Sequence, residues 1–87
     1  MNENVDEAAQ KAARIEEVEA AIARAESDEA WSAIDKLYNE LWRTKEPTAV
    51  QLGRQAIAVF HLKDVPRAAT MTRRAVRLAP ENAHLTR

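Results

Sequence analysis

The sequence predicts an all-α protein in which four antiparallel helices form two helical hairpins, and three observations support this fold class. Alanine provides 18 of the 87 residues, whereas glycine occurs once and proline three times, and alanine loses the least free energy on entering a helix. Apolar residues recur at spacings of three and four along four segments, which is the helical period. Capping residues and prolines leave only short loops between these segments, so consecutive helices are expected to fold back on each other.

The first helix is expected to run from near Asn4 to about Ala25. Its apolar residues follow the spacing of one helix side, which would pack against one neighbouring helix. They are Val5, Ala8, Ala12, Ile15, Val18, Ile22 and Ala25. The opposite side is rich in Glu and Arg and is expected to face water.

The second helix is expected to start at Ser27, whose hydroxyl can accept a free backbone N–H group, while Asp28 and Glu29 oppose the positive end of the helix dipole. Its apolar side chains are the largest core candidates of the chain. They are Trp31, Ile34, Leu37, Tyr38, Leu41 and Trp42. Pro47 disfavours helical geometry at the residue before it, so the first hairpin is expected to end there.

The third helix is expected over residues 49–62, with Thr48 as its N-cap. It carries two apolar stripes, which predict contacts on two sides, either with other helices or with an outside partner. One stripe contains Leu52, Ala56 and Val59, and the other contains Val50, Ile57 and Phe60. Gly53 lies inside this helix and indicates either a close approach of a neighbouring helix or a bend.

The fourth helix is expected to begin at Asp64 as N-cap, with Pro66 in the first turn, where a missing N–H group does no harm. Its predicted core stripe is Ala68, Met71, Ala75 and Leu78, and Pro80 is expected to end it. The other side presents Ala69, Thr72, Val76 and Ala79. Because no further helix is expected to cover that side, Ala69 and Val76 are predicted to form a partner-binding end face.

The two halves of the chain align with each other when Ile15 is placed on Ala49, and apolar residues then meet at six of seven compared positions. The apolar pairs are Ile15 with Ala49, Val18 with Leu52, Ile22 with Ala56, Ala25 with Val59, Ile34 with Ala68 and Leu41 with Ala75. The sequence therefore predicts one small domain, residues 1–87, that contains a degenerate first repeat at 15–48 and a second repeat at 49–82.

The second repeat resembles a tetratricopeptide repeat. Ala56 stands at the small position of that family's first helix, and the turn KDVPRA at 63–68 resembles the family's Gly-Asp-Tyr-x-x-Ala. Ala75 and Pro80 fill its later small-residue and proline positions. The resemblance implies that the two hairpins are TPR-like.

The first repeat is similar to the same family at fewer positions. Trp31 and Tyr38 stand at the aromatic positions of the second helix. Ile34 and Leu41, however, stand where the family has small residues, which let helix axes come within about 8–10 Å of each other. A wider first hairpin is therefore expected.

The resemblance also implies a binding surface, since the first helix of each tetratricopeptide hairpin lines a concave groove. Carried over position by position, the first-repeat residues are Glu16, Glu19, Ala23 and Glu26, and those of the second repeat are Val50, Gly53, Ile57 and Phe60. The Lys and Asn residues with which some family members hold a peptide carboxylate are absent from these positions. The alternative that Ile57 and Phe60 belong to the core stays open.

No catalytic or cofactor motif is found in the sequence. His61 and His84 are well separated along the chain and belong to no ligand-spaced motif of Asp, Glu or Cys. There is no cysteine and no Gly-rich phosphate loop. We therefore expect no enzymatic activity, no cofactor and no metal site.

The charges of the chain are divided unevenly between its halves. Residues 1–46 hold 12 acidic and 6 basic side chains, whereas residues 47–87 hold 2 acidic and 7 basic ones. Such a split can steer one half onto a second copy or onto a charged partner, although two ordinary solvated surfaces would give it as well. Four arginines make one side of the fourth helix basic, and nucleic-acid binding is the alternative function that they suggest. They are Arg67, Arg73, Arg74 and Arg77.

Together these features predict a protein–protein interaction module, a small adaptor or chaperone-like subunit that binds a protein segment. Two repeats are fewer than a stable array usually needs, so we expect a homodimer or a subunit of a larger complex. No early apolar run resembles a secretory signal, and no stretch approaches the ~18 apolar residues of a membrane span. A cytoplasmic protein without membrane contact is expected.

Overall fold

A computed structural model describes residues 3–79, with side chains from residue 6 onward. This part of the chain forms four α-helices and no strand: α1 Glu3–Ser27, α2 Trp31–Leu41, α3 Ala49–His61 and α4 Val65–Leu78. The predicted all-α class is thereby confirmed. Helix α1 contacts α2 and α3 contacts α4, a pairing that is consistent with hairpins.

The chain divides into two compact units, which we name by their helices. The α1–α2 unit comprises Met1–Lys45 and the α3–α4 unit comprises Glu46–Arg87. Each unit holds one helix pair, and the division falls shortly before the predicted second repeat begins. The repeat boundaries themselves stay predictions.

The core of the α1–α2 unit consists of large apolar side chains at the predicted helical spacing. Its buried residues are Val18, Ile22, Ala25, Ile34, Tyr38 and Leu41. The hydroxyl of Tyr38 donates to Glu26 Oε2 at 3.5 Å, and its ring stacks on Trp42 with the centroids 5.6 Å apart. A helix of 25 residues packed on one of 11 residues cannot be covered along its whole length, and Ala8 and Ala12 are exposed accordingly. Val5 lies outside the described side chains.

The predicted N-cap of α2 at Ser27 is wrong, because Ser27 is the last residue of α1. The chain leaves α1 through a backbone turn in which Glu29 has a φ of 54°. The N–H of Ala30 donates to the carbonyl of Ala25 at 2.9 Å, and that of Glu29 to the carbonyl of Glu26 at 3.1 Å. This pattern is a Schellman motif, which satisfies the carbonyls at the end of α1. Helix α2 then begins after Ala30 without a side-chain cap.

The two predicted N-caps of the α3–α4 unit are confirmed. The N–H of Gln51 donates to Thr48 Oγ1 at 3.2 Å, and the N–H of Arg67 donates to Asp64 Oδ1 at 3.3 Å. The buried residues of α3 include the predicted stripe of Leu52, Ala56 and Val59. Gln55 and Ala58 are also buried, which the sequence did not indicate. No buried polar side-chain atom in the described part of the chain lacks a hydrogen-bond partner, which includes the amide of Gln55.

The predicted core stripe of α4 is correct at its first residue and wrong at its last. Ala68 is buried, Met71 and Ala75 are half-buried, and Leu78 is 49% exposed. Among the described helices, α4 contacts α3, and a helix packed on one neighbour buries a narrow stripe. Leu78, in the last turn, is therefore only about half covered. Pro80, the predicted terminator, lies outside the described residues, and α4 ends shortly before it.

Candidate protein-binding groove

Large apolar side chains are exposed on the α3–α4 unit and not on the described part of the α1–α2 unit. Seven of them are between 40% and 61% exposed: Val50, Ile57, Phe60, Leu62, Val65, Val76 and Leu78. Isolated exposed apolar residues are ordinary, but a concentration on one helix pair indicates a surface that meets another molecule. The α3–α4 unit therefore carries the candidate functional site.

Helices α3 and α4 together form a groove of about 500 Å³, which we call the α3–α4 groove. Its most buried lining residues have small side chains or none: Gly53, Ala56, Ala68 and Ala69. Three large apolar residues, each more than half exposed, form its edges: Ile57, Phe60 and Val65. A groove with small residues at its base and large apolar residues at its edges suits an inserted helix side or an extended segment.

Gly53 lies at the base of this groove. A Cβ atom built at Gly53 would have no neighbouring atom within 4 Å, so the prediction of a close helix approach at this residue is wrong. Its φ is not positive, so the backbone does not require glycine either. Alanine at this helix position would be more stable by roughly 0.5–1 kcal/mol. Neither packing within the unit nor backbone conformation therefore requires a glycine at this position.

The polar lining residues of the groove, Thr72 and Arg73, both belong to α4. The hydroxyl of Thr72 donates to the Ala68 carbonyl at 2.9 Å, which leaves its oxygen lone pairs for another donor. The Arg73 guanidinium is exposed and donates to Thr70 Oγ1 at 3.3 Å. Residues 49–79 carry six basic side chains against Asp64 as the acidic one, so the surroundings of the groove are positively charged.

The structure brings four of the eight predicted site residues together in this groove. Gly53, Ile57 and Phe60 are predicted to line a groove formed by the first helices of both hairpins, and they line the groove between α3 and α4 instead. Ile57 and Phe60 are 56% and 58% exposed and therefore lie outside the core. Ala69, which the sequence assigned to a separate end face, lines the same groove. Three predicted groove residues of α3 and one predicted end-face residue of α4 therefore line the same observed groove.

The other four predicted residues lie elsewhere. Val50 and Val76 are 61% and 55% exposed but do not line the groove. Glu16 and Glu19 belong to α1 in the other unit, where Glu16 is exposed and Glu19 forms an ion pair with Lys45 at 3.5 Å. Glu19 thus has a structural partner within its own unit.

Sequence reasoning missed Val65, Thr72 and Arg73 as lining residues of the groove. A signal was present, because Val65, Ala69, Thr72 and Val76 follow one another at spacings of four, three and four. That pattern marks one side of α4, and its first three members line the groove. Ala69, Thr72 and Val76 of this pattern are predicted to lie on an end face, because the rotation of α4 against α3 cannot be derived from the sequence.

The α1–α2 unit has a smaller cleft, of about 340 Å³, with a different character. Its charged lining residues have both signs: Arg14, Lys36 and Arg43 are basic and Glu40 is acidic. All four are exposed, which is typical of a solvated surface. The α3–α4 groove is the better candidate for binding an apolar segment.

Comparison of the chain with protein-family models, curated proteins and solved structures gave no match. The described residues contain no group of three His, Cys, Asp or Glu side chains that could hold a metal ion. His84 lies outside them. None of the described helices is long and apolar enough to cross a membrane. The chemistry of the α3–α4 groove is thus the basis for a functional assignment.

Proposed function

We propose that the chain is a protein–protein interaction module, a small adaptor or chaperone-like subunit with TPR-like hairpins, that binds a segment of a protein in the α3–α4 groove. The observation that carries the proposal is the groove itself, with half-exposed Ile57, Phe60 and Val65 around a base of small residues. As in the sequence prediction, the module acts in the cytoplasm and without catalysis or a cofactor.

The energetics of the groove favour an apolar ligand. Full burial of a large apolar side chain stabilises by roughly 1.5–3 kcal/mol, and Ile57, Phe60 and Val65 each keep more than half of their surface exposed. A ligand that covers them would gain about 1 kcal/mol at each residue before its own ordering is counted. The small residues at the base let the ligand backbone come close, so the contact can extend along the whole groove.

A random peptide library displayed on phage and selected on the full chain tests the proposal without knowledge of the natural partner. We expect peptides with one or two large apolar residues, and fluorescence anisotropy then gives their affinities. Ile57→Glu should weaken binding at least about tenfold, because it places a charge on the apolar edge. Val50→Glu is the matched control, since Val50 is equally exposed on the same helix but does not line the groove. Equal effects of the two substitutions, or no selected peptide, would contradict the proposal.

Nucleic-acid binding is the second candidate, and the arginines of α4 favour it. Arg73, Arg74 and Arg77 are exposed, and none of them has an acidic partner among the described residues. Contacts with phosphates would make the affinity for a random DNA duplex fall steeply with salt, and Arg74→Gln with Arg77→Gln would reduce that slope. A chain that does not bind the duplex at about 20 mM salt would exclude this function.

A further inference from the structure

We propose that the occupant of the α3–α4 groove is the N-terminal part of α1 from a second copy of this chain. This inference rests on the proposed binding function and names the partner. The surface that would enter the groove is the alanine face of α1, which we define as Ala8, Ala9, Ala12, Ala13 and Glu16. All five residues are exposed.

The N-terminal part of α1 is a formed helix whose side chains are exposed. Helix α1 has 25 residues and α2 has 11, so α1 is longer by about 21 Å at 1.5 Å per residue. Every described side chain from Asp6 to Arg14 is exposed. A helix that is already formed loses little conformational freedom when it binds, which favours it as a ligand.

The alanine face fits the shape of the groove. Its residues follow one another at helical spacings, so they share one side of α1. The base of the groove is equally small at Gly53, Ala56 and Ala69. Two surfaces of small residues allow helix axes to approach to about 8 Å, the lower end of the usual range. Ile57, Phe60 and Val65 would then enclose the sides of the inserted helix.

Charge complementarity selects a second copy as the occupant. Residues 1–45 as a whole carry 11 acidic and 6 basic side chains, and residues 6–16 carry 3 and 2, whereas residues 49–79 carry 1 acidic and 6 basic ones. Within the proposed contact, Glu16 is the last residue of the alanine face and lies one turn beyond Ala12. Arg73 lines the groove, and its guanidinium is exposed. The single hydrogen bond from Arg73 to Thr70 leaves most of its donors available for a carboxylate. We therefore pair Glu16 of one copy with Arg73 of the other.

Charge reversal in the full chain tests this pair. Sedimentation equilibrium should show that the natural chain self-associates at micromolar concentration, and that Glu16→Arg or Arg73→Glu weakens association by about tenfold. The double variant should recover affinity to within about threefold, since the two charges have exchanged places. A natural chain that stays monomeric at about 500 µM and low salt, or single variants that associate as the natural chain does, would overturn the inference.

Disulfide cross-linking gives the position of the contact, because the natural chain has no cysteine. An equimolar mixture of Ala12→Cys and Thr72→Cys chains should form the mixed disulfide, with one chain tagged so that its mass differs. Gln10→Cys is the matched control, since Gln10 is an exposed residue on another side of the same helix. Equal yields with both cysteines would overturn the inference.

The failure of this inference is distinguishable from the failure of the proposed function. Library peptides that bind the monomeric chain and lose affinity with Ile57→Glu would leave the binding function intact and exclude a second copy as the occupant. A chain that neither binds peptides nor associates would contradict both proposals.

Discussion

Glu29 and Lys63 are the two described non-glycine residues with positive φ, 54° and 73°, and the same hydrogen bonds surround both. Ala30 N–H donates to Ala25 and Glu29 N–H to Glu26, while Asp64 N–H donates to Val59 and Lys63 N–H to Phe60. Placing Ile15 on Ala49 in the sequence also places Glu29 on Lys63. The same offset superimposes the end of α1 on the end of α3 and the start of α2 on the start of α4. The two turns thus share one geometry, a Schellman motif, at the offset found in the sequence.

The shared turn gives a prediction about glycine. A side chain with a Cβ atom loses roughly 1–2 kcal/mol in the left-handed region, whereas glycine adopts it readily. Glu29→Gly and Lys63→Gly should each raise the free energy of unfolding by about 0.5–1 kcal/mol. Urea denaturation followed by circular dichroism measures this. Lys36→Gly, on the exposed side of α2, is the control and should lower stability by about 1 kcal/mol.

Gly53→Ala should stabilise the chain by about 0.5–1 kcal/mol, because alanine is the better helix residue and its Cβ would meet open space. The midpoint of urea unfolding would rise. The reverse change at a packed position, Ala56→Gly, should lower stability by a similar or larger amount, since Ala56 is buried. A destabilised Gly53→Ala chain would show that this position is crowded after all.

The helix caps give a pair of substitutions with different expected effects. Asp64→Ala removes the acceptor for the Arg67 N–H and should lower the free energy of unfolding by about 1 kcal/mol. Ser27→Ala should change it by less than about 0.5 kcal/mol, because Ser27 is the last residue of α1 and caps no helix start. A large loss at Ser27 would mean that α2 starts there, as the sequence suggested.

Truncation of a buried leucine and of an exposed leucine should have different effects on stability. Leu41 is fully buried, and Leu41→Ala should cost about 2–5 kcal/mol because it leaves a cavity. Leu78 is 49% exposed, and Leu78→Ala should cost less than about 1 kcal/mol. Thermal unfolding of both variants measures the contrast. Similar losses would place Leu78 in a core that the α3–α4 pair does not provide.

Large apolar residues at helical spacing made much of the fold predictable. Ile34, Leu41 and Leu52 are buried as expected, because burial of a large apolar side chain removes its surface from water and stabilises the fold. The N-caps at Thr48 and Asp64 were predictable as well, since a polar residue followed by an apolar helix pattern has one common meaning. The local sequence was sufficient to predict a feature wherever that feature depends on contacts between residues close together in the chain.

The errors concern features that depend on a neighbour or on backbone geometry. Ser27 is a residue type typical of N-caps, but it ends α1, and the turn with a positive φ at Glu29 places the start of α2 several residues later. A Cβ atom built at Gly53 has no neighbouring atom within 4 Å, and Leu78, which was predicted to be in the core, is 49% exposed. The groove combines residues of α3 with Ala69 and Val65 of α4, and its existence depends on how the two helices are rotated against each other. The helical periodicity of the sequence does not determine the angle of this rotation.

Amide chemical-shift mapping by NMR tests the binding role of the α3–α4 groove most directly. The isotope-labelled full chain would be titrated with a peptide selected from the library. We predict that the largest shifts occur at Gly53, Phe60 and Thr72, and that they are absent from an Ile57→Glu chain. Shifts concentrated around Arg14 and Lys36 in the cleft of the α1–α2 unit, with none at the groove residues, would contradict the proposal.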